Sequence, residues 1–416
     1  LQNYSRRNEG GRRDAFGTHE FYQLCAYLHC DPWANLPGTL LPEDIDAFME
    51  YCGAPSSVGY GKLRASLGQE QPWTQVFRKI HVQFGNEVIT FWGTGFWGQG
   101  YWEALVQRAK QSPYYDPDVF VFHLNHQGSG TYLLQHHPSF DRFTVNGYHI
   151  MALYNDQIQQ AGDLAGFYEF VFASAWHMWM DNRHNDVYRY LEAARDHDKE
   201  ISIYEGGNYH TTSSDDVNPP VDRINRMITS LAGGVSAVNS SLILLKHWGA
   251  RTQENFNFSQ FQFSPGGTFG SLQEKVRLWG GVLRSGNPDE FRFRPRYLAL
   301  AVANRALMGD LVKTTLSGDS TTFSVTNRFG NGYSESKNPE TMTISDIPRI
   351  HAYACQSGNK RGLILVSNDP RQTRNVKIVF PGSVKDAHAE ITWLQASDID
   401  ATNEHDYAPD GPEVTL

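Results

Sequence analysis

The stretch Val82-Gln83-Phe84-Gly85-Asn86-Glu87 decides how this chain is expected to fold. It begins with apolar, β-prone residues and stops at an asparagine–glutamate pair. A second stretch of the same form, Ile201-Ser202-Ile203-Tyr204-Glu205-Gly206-Gly207, places Glu205 118 positions after Glu87. Both patterns predict a buried strand that ends in a glutamate.

Working outward from these two stretches, strand-like and helix-like segments alternate through residues 1–315. Such alternation is typical of parallel β/α units. About six strands precede residue 312, whereas a closed barrel of this type has eight. One of the predicted strands spans residues 148–154 and ends at Tyr154. The pattern therefore predicts an α/β fold, a (β/α)8 TIM barrel whose first strand is missing from this chain.

The sequence changes character near residue 316. Short β-prone runs follow, separated by Gly, Pro, Asn and Asp, which is typical of an antiparallel β-sandwich. We therefore expect two domains, a catalytic barrel over residues 1–315 and a C-terminal β-sandwich over residues 316–416. The β-prone runs begin at Thr322, Arg349, Gly362, Asn375 and Ala389.

Composition and motifs exclude several classes of function. The net charge of −9, without any block of like charges, argues against a nucleic-acid partner, which needs a basic surface. No segment approaches the roughly 20 apolar residues that span a bilayer, so no membrane partner is expected. The histidines show no metal-ligand spacing, and we expect neither a metal nor an organic cofactor.

The four cysteines form no CxxC pattern. Cys25, Cys30, Cys52 and Cys355 are expected to be buried thiols. A Cys25–Cys52 or Cys30–Cys52 disulfide bond is left open.

Two glutamates at strand ends suit the cleavage of a glycosidic bond. Retaining enzymes use two carboxyl groups about 5 Å apart, one as nucleophile and one as acid/base. Barrel enzymes place such groups at the carboxyl ends of their strands. We expect Glu205 to be the nucleophile and Glu87 the acid/base. Asn86 is suited to hydrogen-bond the sugar 2-hydroxyl, and Tyr154 to hold the nucleophile ionised.

Aromatic side chains make up 13% of the chain, and many adjoin Gly, Asn, Gln or His in predicted loops. Aromatic faces pack well against the C–H surfaces of sugar rings. An aromatic loop follows Glu87, and an aromatic insert covers residues 247–290. The tryptophans predicted to contact substrate are Trp33, Trp92, Trp97 and Trp248.

Several motifs resemble those of the family 51 α-L-arabinofuranosidases and, more loosely, families 39 and 79 of the same clan A. They include Phe16-Gly-Thr-His-Glu-Phe, Asp31-Pro-Trp-Ala-Asn-Leu, Tyr51-Cys-Gly, Pro72-Trp and Phe84-Gly-Asn-Glu.

In that clan an Asn-Glu pair ending strand four carries the acid/base, and a glutamate ending strand seven is the nucleophile. The resemblance implies these roles for Glu87 and Glu205. It also matches Tyr154 to a strand-six tyrosine and implies that Asn35, at the end of strand three, faces the sugar. Relatives often self-associate, so a homo-oligomer is left open, as is a second chain that supplies the missing strand.

The sequence thus predicts a retaining glycoside hydrolase, arabinofuranosidase-like, that acts on plant-type polysaccharides or oligosaccharides. Two alternatives stay open. One is an endo-acting glycanase of the cellulase or β-glucanase type on the same scaffold, and the other is a non-catalytic carbohydrate-binding protein. A secreted or extracellular location is expected, with the cytoplasm as the alternative.

Overall fold

A computed structural model of the chain describes most of its residues. The described ranges are 16–85, 100–125, 130–150, 153–181, 186–207, 220–259, 261–263, 276–283, 291–318, 321–330, 340–380 and 388–416. Four of the predicted site residues, Asn86, Glu87, Trp92 and Trp97, lie outside the described residues. Their roles therefore stay predictions.

Helices account for much of the described chain. They are α1 (Thr18–Tyr27), α2 (Pro42–Gly53), α3 (Gly59–Ser66), α4 (Tyr101–Gln111), α5 (Gly130–His136), α6 (Asn155–Ala161), α7 (Leu164–Met180), α8 (Asp186–Asp196), α9 (Val221–Thr229), α10 (Leu231–Trp248) and α11 (Pro295–Ala306).

The strands are shorter and fall into several sheets. They are β1 (Trp33–Leu36), β2 (Ile80–Phe84), β3 (Phe120–Asn125), β4 (Arg142–Gly147), β5 (Glu200–Gly206), β6 (Thr252–Asn255), β7 (Phe261–Phe263), β8 (Val276–Trp279), β9 (Val282–Leu283), β10 (Arg292–Phe293), β11 (Asp310–Val312), β12 (Thr322–Phe329), β13 (Glu340–Pro348), β14 (Ile350–Ser357) and β15 (Lys360–Ser367).

The largest sheet contains six strands in the order β1-β2-β3-β4-β5-β6. The pairs β1–β2, β2–β3 and β3–β4 are parallel. Strand β2 is buried along its whole length, as expected for a strand covered on both faces. The predicted parallel β/α architecture is confirmed to this extent, and closure into an eight-stranded barrel stays a prediction.

The chain separates into two compact units. The first comprises Leu1–Val145 and Tyr190–Ser202, and the second comprises Asn146–Arg189 and Ile203–Leu416. The domain boundary predicted between residues 315 and 316 stays a prediction.

A polar network fills part of the core of the first unit. His81 Nδ1 lies 2.8 Å from His123 Nε2, and His123 Nδ1 lies 2.8 Å from Ser202 Oγ. Burial lowers the pKa of His81 to about 4 and holds the pKa of His123 well below its usual value. Both imidazoles are therefore neutral near pH 7, and their ring nitrogens satisfy one another inside the protein.

The strand predicted over residues 148–154 is misplaced. The strand itself is β4, which ends at Gly147, and Tyr154 instead precedes the first turn of α6. The described part of the apolar run after β4, residues 148–150 and 153, is buried but has no strand hydrogen-bonding pattern. The true strand was harder to recognise because the buried Phe143 and Val145 alternate with polar residues.

Antiparallel sheets form from β11 onward, as predicted for the region after residue 316. Strand β12 pairs with β13, while β14 pairs with both β11 and β15. Phe323 of β12 and Ile344 of β13 share a core cluster with residues of α7. Tyr353 of β14 and Ile364 of β15 share another with residues of α10 and α11. Each sheet thus buries an apolar face against helices, and face-to-face packing of the two sheets stays a prediction.

Two of the β-prone runs in this region are not regular strands. The described residues 375–380 and 389–394 have no strand hydrogen-bonding pattern. Most of their apolar side chains are open to solvent, with Val379 76% and Trp393 69% exposed, whereas Leu394 packs against a core cluster. The alternation of residue types in these runs was therefore a misleading signal, because strands need partners as well as a suitable pattern.

Residues 399–402 return to the start of α10. The backbone N–H of Leu231 donates to Ala401 O at 2.8 Å, and that of Ala232 donates to Ile399 O at 3.0 Å. Ser230, the N-cap residue, also accepts a hydrogen bond from the N–H of Gly233. These contacts satisfy amides that a helix start leaves without intrahelical partners.

All four cysteines are free, with Cys30 exposed and Cys25, Cys52 and Cys355 buried. Among the described helices, none has the length and apolar character needed to cross a membrane.

Candidate active site

Strand β5 presents Glu205 one residue before the strand ends. Residues 201–204 are buried, whereas Glu205 is half-buried. The strand stops because Gly207 adopts a left-handed backbone with φ +65°, a conformation that glycine tolerates best. The predicted position of Glu205 at the carboxyl end of a strand is confirmed.

Strand β6 brings a second carboxyl group to the same place. The strands β5 and β6 are neighbours, joined through α9 and α10, as parallel strands are. The N–H of Phe256 donates to Gly206 O at 3.1 Å. In a parallel ladder this bond sets Phe256 level with Gly207, and therefore Glu254 level with Glu205. Level residues on paired strands project to one face, with the strands about 4.8 Å apart.

The electrostatics of Glu254 reflect this arrangement. Burial and, after it, the negative charge of Glu205 raise the pKa of Glu254 to about 8. The side chain nevertheless keeps more than a third of its surface open to solvent. A carboxyl group on the floor of a cleft has both properties, since protein flanks it while its tip meets water. Near pH 7 Glu254 therefore keeps its proton.

A buried arginine holds the two strand ends together. Arg296, at the start of α11, is 2% exposed. Its Nη1 donates to Gly207 O at 3.0 Å and to Phe256 O at 3.2 Å. A Cβ atom at position 207 would lie 1.7 Å from Oδ1 of Asn255, so any larger residue there would displace the Asn255 side chain. Arg296 therefore fixes the backbone just after each of the two glutamates.

Comparison with known proteins places this site in context. No family model matches the chain. A probable α-L-arabinofuranosidase C from Aspergillus flavus is 28% identical over 135 residues, which are 30% of this chain and 25% of the relative. The corresponding protein from Aspergillus terreus is 30% identical over 103 residues, 24% of this chain and 19% of the relative. The matched stretch thus spans at most about a quarter of these curated relatives.

Solved structures match over nearly the whole chain. A family 51 α-L-arabinofuranosidase from Bifidobacterium longum superposes with a TM-score of 0.63 at 16% identity, covering 96% of this chain and 74% of that one. An arabinose complex of the Thermotoga maritima α-L-arabinofuranosidase gives 0.58 at 17% identity, covering 97% and 75%. These matches show a shared fold.

The chain resembles the family 51 α-L-arabinofuranosidases over part of its sequence and in its fold. This similarity confirms the resemblance that the sequence motifs suggested. It does not test the roles of individual side chains.

Tyr154 lies at the start of α6 rather than at a strand end. Its N–H donates to Gln157 Oε1 at 2.8 Å, and the guanidinium of Arg328 lies 5.7 Å from its ring. These contacts tie Tyr154 to α6 and β12. A hydrogen bond from Tyr154 to the nucleophile, as in the family 51 pattern, stays a prediction.

The two residues predicted from β1 differ in position. Asn35 is exposed near the carboxyl end of β1 and lies level with Gln83 of β2. Trp33 begins the strand, and its ring centroid lies 3.9 Å from that of His123. Because barrel active sites form at the carboxyl ends of strands, Asn35 is better placed for a sugar than Trp33. The role of each stays a prediction.

Trp248 ends α10 and is only 9% exposed. Its Nε1 donates to Trp179 O at 2.8 Å, and its ring meets Tyr188 edge to face at 5.0 Å. These contacts place Trp248 in the protein interior and leave little of its surface for a sugar. The predicted contact between Trp248 and substrate has no support from this position.

The sequence patterns did not identify Glu254 or Arg296 as site residues. Glu254 belongs to the run Thr252-Gln-Glu-Asn, which is too polar to be recognised as a strand. One feature did indicate a strand. The run lies between a helix and an aromatic cluster, which is where the next strand of an alternating β/α chain is expected to end. Among the described residues, no three His, Cys, Asp or Glu side chains form a group suited to a metal ion.

Proposed function

We propose that the chain is a retaining glycoside hydrolase of the α-L-arabinofuranosidase type. The observation that carries the proposal is the position of Glu205 at the carboxyl end of β5, in a chain with the family 51 fold. The curated relatives are named probable α-L-arabinofuranosidases, and the Thermotoga maritima structure is an arabinose complex. These names support an arabinofuranosyl group as the substrate unit.

In the proposed mechanism, Glu205 attacks the anomeric carbon while Glu87 protonates the departing oxygen. The glycosidic C–O bond breaks, and an ester bond forms between the sugar and Glu205. Glu87, now ionised, removes a proton from water, whose oxygen attacks the same carbon and releases Glu205. Two inversions give net retention. Asn86 would hydrogen-bond the sugar 2-hydroxyl, a contact that strengthens at the transition state.

The natural substrates under this proposal are plant-type polysaccharides or oligosaccharides with arabinofuranosyl groups. Removal of such a group needs one sugar-sized cavity at Glu205. Endo-acting cleavage of a glucan would need an extended cleft with several aromatic platforms. The burial of Trp248 removes one of the platforms expected for that alternative.

The nucleophile is tested with a panel of 4-nitrophenyl glycosides, led by the α-L-arabinofuranoside. We expect hydrolysis by the wild type and a loss of roughly 10³-fold or more in Glu205→Ala. Glu200→Gln is the matched control, because Glu200 begins the same strand and its side chain is 59% exposed. Activity of Glu205→Ala at the level of Glu200→Gln would overturn the assignment.

The acid/base is tested by leaving-group dependence. Glu87→Ala should hydrolyse an aryl glycoside with an acidic phenol at a nearly normal glycosylation rate, because that phenol departs without protonation. On a natural oligosaccharide the same variant should lose roughly 10²- to 10⁴-fold. Equal losses on both substrates would contradict general acid catalysis by Glu87. A wild type that binds arabinan but hydrolyses nothing would favour a non-catalytic binding protein.

A further inference from the structure

The register between β5 and β6 gives the site a carboxyl group that the two-glutamate mechanism does not use. We propose that Glu254 belongs to the substrate site and donates a hydrogen bond to a hydroxyl of the sugar held at Glu205. This inference rests on the proposed function, because it assumes that Glu205 faces a bound sugar.

Geometry is the first support. The hydrogen bond from Phe256 N–H to Gly206 O sets Glu254 level with Glu205, so both side chains leave the sheet on one face. Arg296 fixes the backbone just beyond both positions through its bonds to Gly207 O and Phe256 O. A rigid strand is a better platform for a positioned contact than a loop is.

Charge is the second support. Two carboxylates side by side repel each other, so one of them keeps its proton. Glu205 on β5 is the charged group that acts on Glu254, and together with burial it raises the pKa of Glu254. The proton therefore remains on Glu254, and a protonated carboxyl group has an O–H donor that a carboxylate lacks.

Access is the third support. Glu254 keeps more than a third of its side-chain surface open to solvent even though protein surrounds it. A ligand that reaches Glu205 can therefore meet Glu254 without displacing protein atoms. Sugar hydroxyls accept hydrogen bonds, and a neutral donor beside the nucleophile adds no second negative charge to the site.

The pH dependence of kcat/KM on 4-nitrophenyl α-L-arabinofuranoside distinguishes this role from a structural one. In the wild type, ionisation of Glu254 above about pH 8 removes the donor and adds a charge, so activity should fall there. Glu254→Gln keeps an N–H donor at every pH and should retain most of the neutral activity while its alkaline limb moves upward. Glu254→Ala should lose about tenfold at neutral pH.

Glu200→Gln again serves as the control and should reproduce the wild-type profile. If Glu254→Gln and Glu254→Ala both reproduce that profile, the inference is overturned. If both lose activity equally with an unchanged alkaline limb, Glu254 is structural and the inference is overturned as well.

A titration that needs no catalysis separates this inference from the proposed function. The ¹³C signal of the Glu254 carboxyl, assigned by its loss in Glu254→Gln, should titrate above pH 7 in the wild type. In Glu205→Gln it should titrate at lower pH. Ordinary carboxyl titration in the wild type would overturn the inference whatever the enzyme assay shows. The wild type could instead titrate above pH 7 at Glu254 and yet hydrolyse no glycoside. That result would overturn both the sugar contact and the proposed function, and only the interaction between the Glu205 and Glu254 carboxyl groups would stand.

Discussion

Arg294 and Glu404 form an ion pair inside the protein, with Arg294 Nε 2.6 Å from Glu404 Oε1. The two side chains are 1% and 3% exposed. Arg294 lies immediately before α11, whereas Glu404 lies more than a hundred positions later, so the pair fixes the C-terminal segment to the start of that helix. Arg277 contacts the same carboxylate at 3.1 Å.

Replacing Glu404 by Gln should lower the free energy of unfolding by about 3–5 kcal/mol, because it leaves a buried guanidinium without its counter-charge. Urea denaturation measures this change. Asp406→Asn is the matched control, since Asp406 pairs with Arg277 but is 58% exposed. That control should cost less than about 1 kcal/mol. Equal losses in both variants would contradict the importance of burial.

Replacing Gly207 by Ala should disrupt the ends of β5 and β6. Gly207 and Gly249 have nearly the same backbone, with φ +65° and +68°. The left-handed conformation costs each alanine variant about 1–2 kcal/mol. Only at position 207 does the new Cβ also collide, 1.7 Å from Asn255 Oδ1, whereas nothing lies within 4 Å at position 249.

We therefore expect Gly249→Ala to show the cost of the backbone alone, and Gly207→Ala to be less stable and to lose glycosidase activity. Thermal denaturation and hydrolysis of an aryl arabinofuranoside measure the two effects. If the two variants were indistinguishable, the close approach of Asn255 would have no energetic consequence.

Protonation of His149 should destabilise the protein in mild acid. Burial lowers the pKa of His149 to about 3, whereas an unfolded histidine has a pKa near 6.5. The unfolded state therefore binds more protons between these values, and the free energy of unfolding falls as pH falls through this window. From pH 6.5 to pH 5 this single group should account for about 2 kcal/mol.

His149→Gln should remove this part of the pH dependence, so its difference in stability from the wild type should shrink as the solution is acidified. Chemical denaturation at several pH values gives the slopes. His136→Gln, at an exposed position of α5, is the control and should leave the slope unchanged. A wild-type slope in His149→Gln would show that His149 is protonated in the folded state.

Arg296→Met should reduce both stability and activity, because it removes a charged donor to two main-chain oxygens beneath the site. We expect a loss of about 2–3 kcal/mol in the free energy of unfolding and a fall in kcat/KM. Arg305→Met changes an exposed arginine on the same helix and should have little effect on either. Retention of full activity by a folded Arg296→Met would argue that the strand ends need no such support.

Strong local patterns made part of the fold predictable from sequence. The β-prone runs of β2 and β5, rich in apolar residues, predicted buried strands, and Glu205 lies at the strand end where that pattern placed it. Pro42 and the acidic residues after it occupy the first turn of α2, a pattern that is typical of a helix start and readable from sequence.

Other elements were hidden because their stability depends on contacts far away in the sequence. Helix α10 contains Gly233, Gly234 and several serines, which weaken a helical signal, but its close packing against α11 requires small residues: a Cβ at Gly234 would lie 2.5 Å from Arg296 N. Glu254 could not be recognised as a neighbour of Glu205, because their proximity follows from strand order rather than from local pattern.

The way residues 399–401 close the first turn of α10 has a practical consequence for expression. A polypeptide shortened to end near residue 380 would lose the acceptors for the N–H groups of Leu231 and Ala232, although its deletion would lie about 150 positions away. Trimming from the carboxyl side is thus expected to loosen the first turn of α10 and to lower the yield of folded protein.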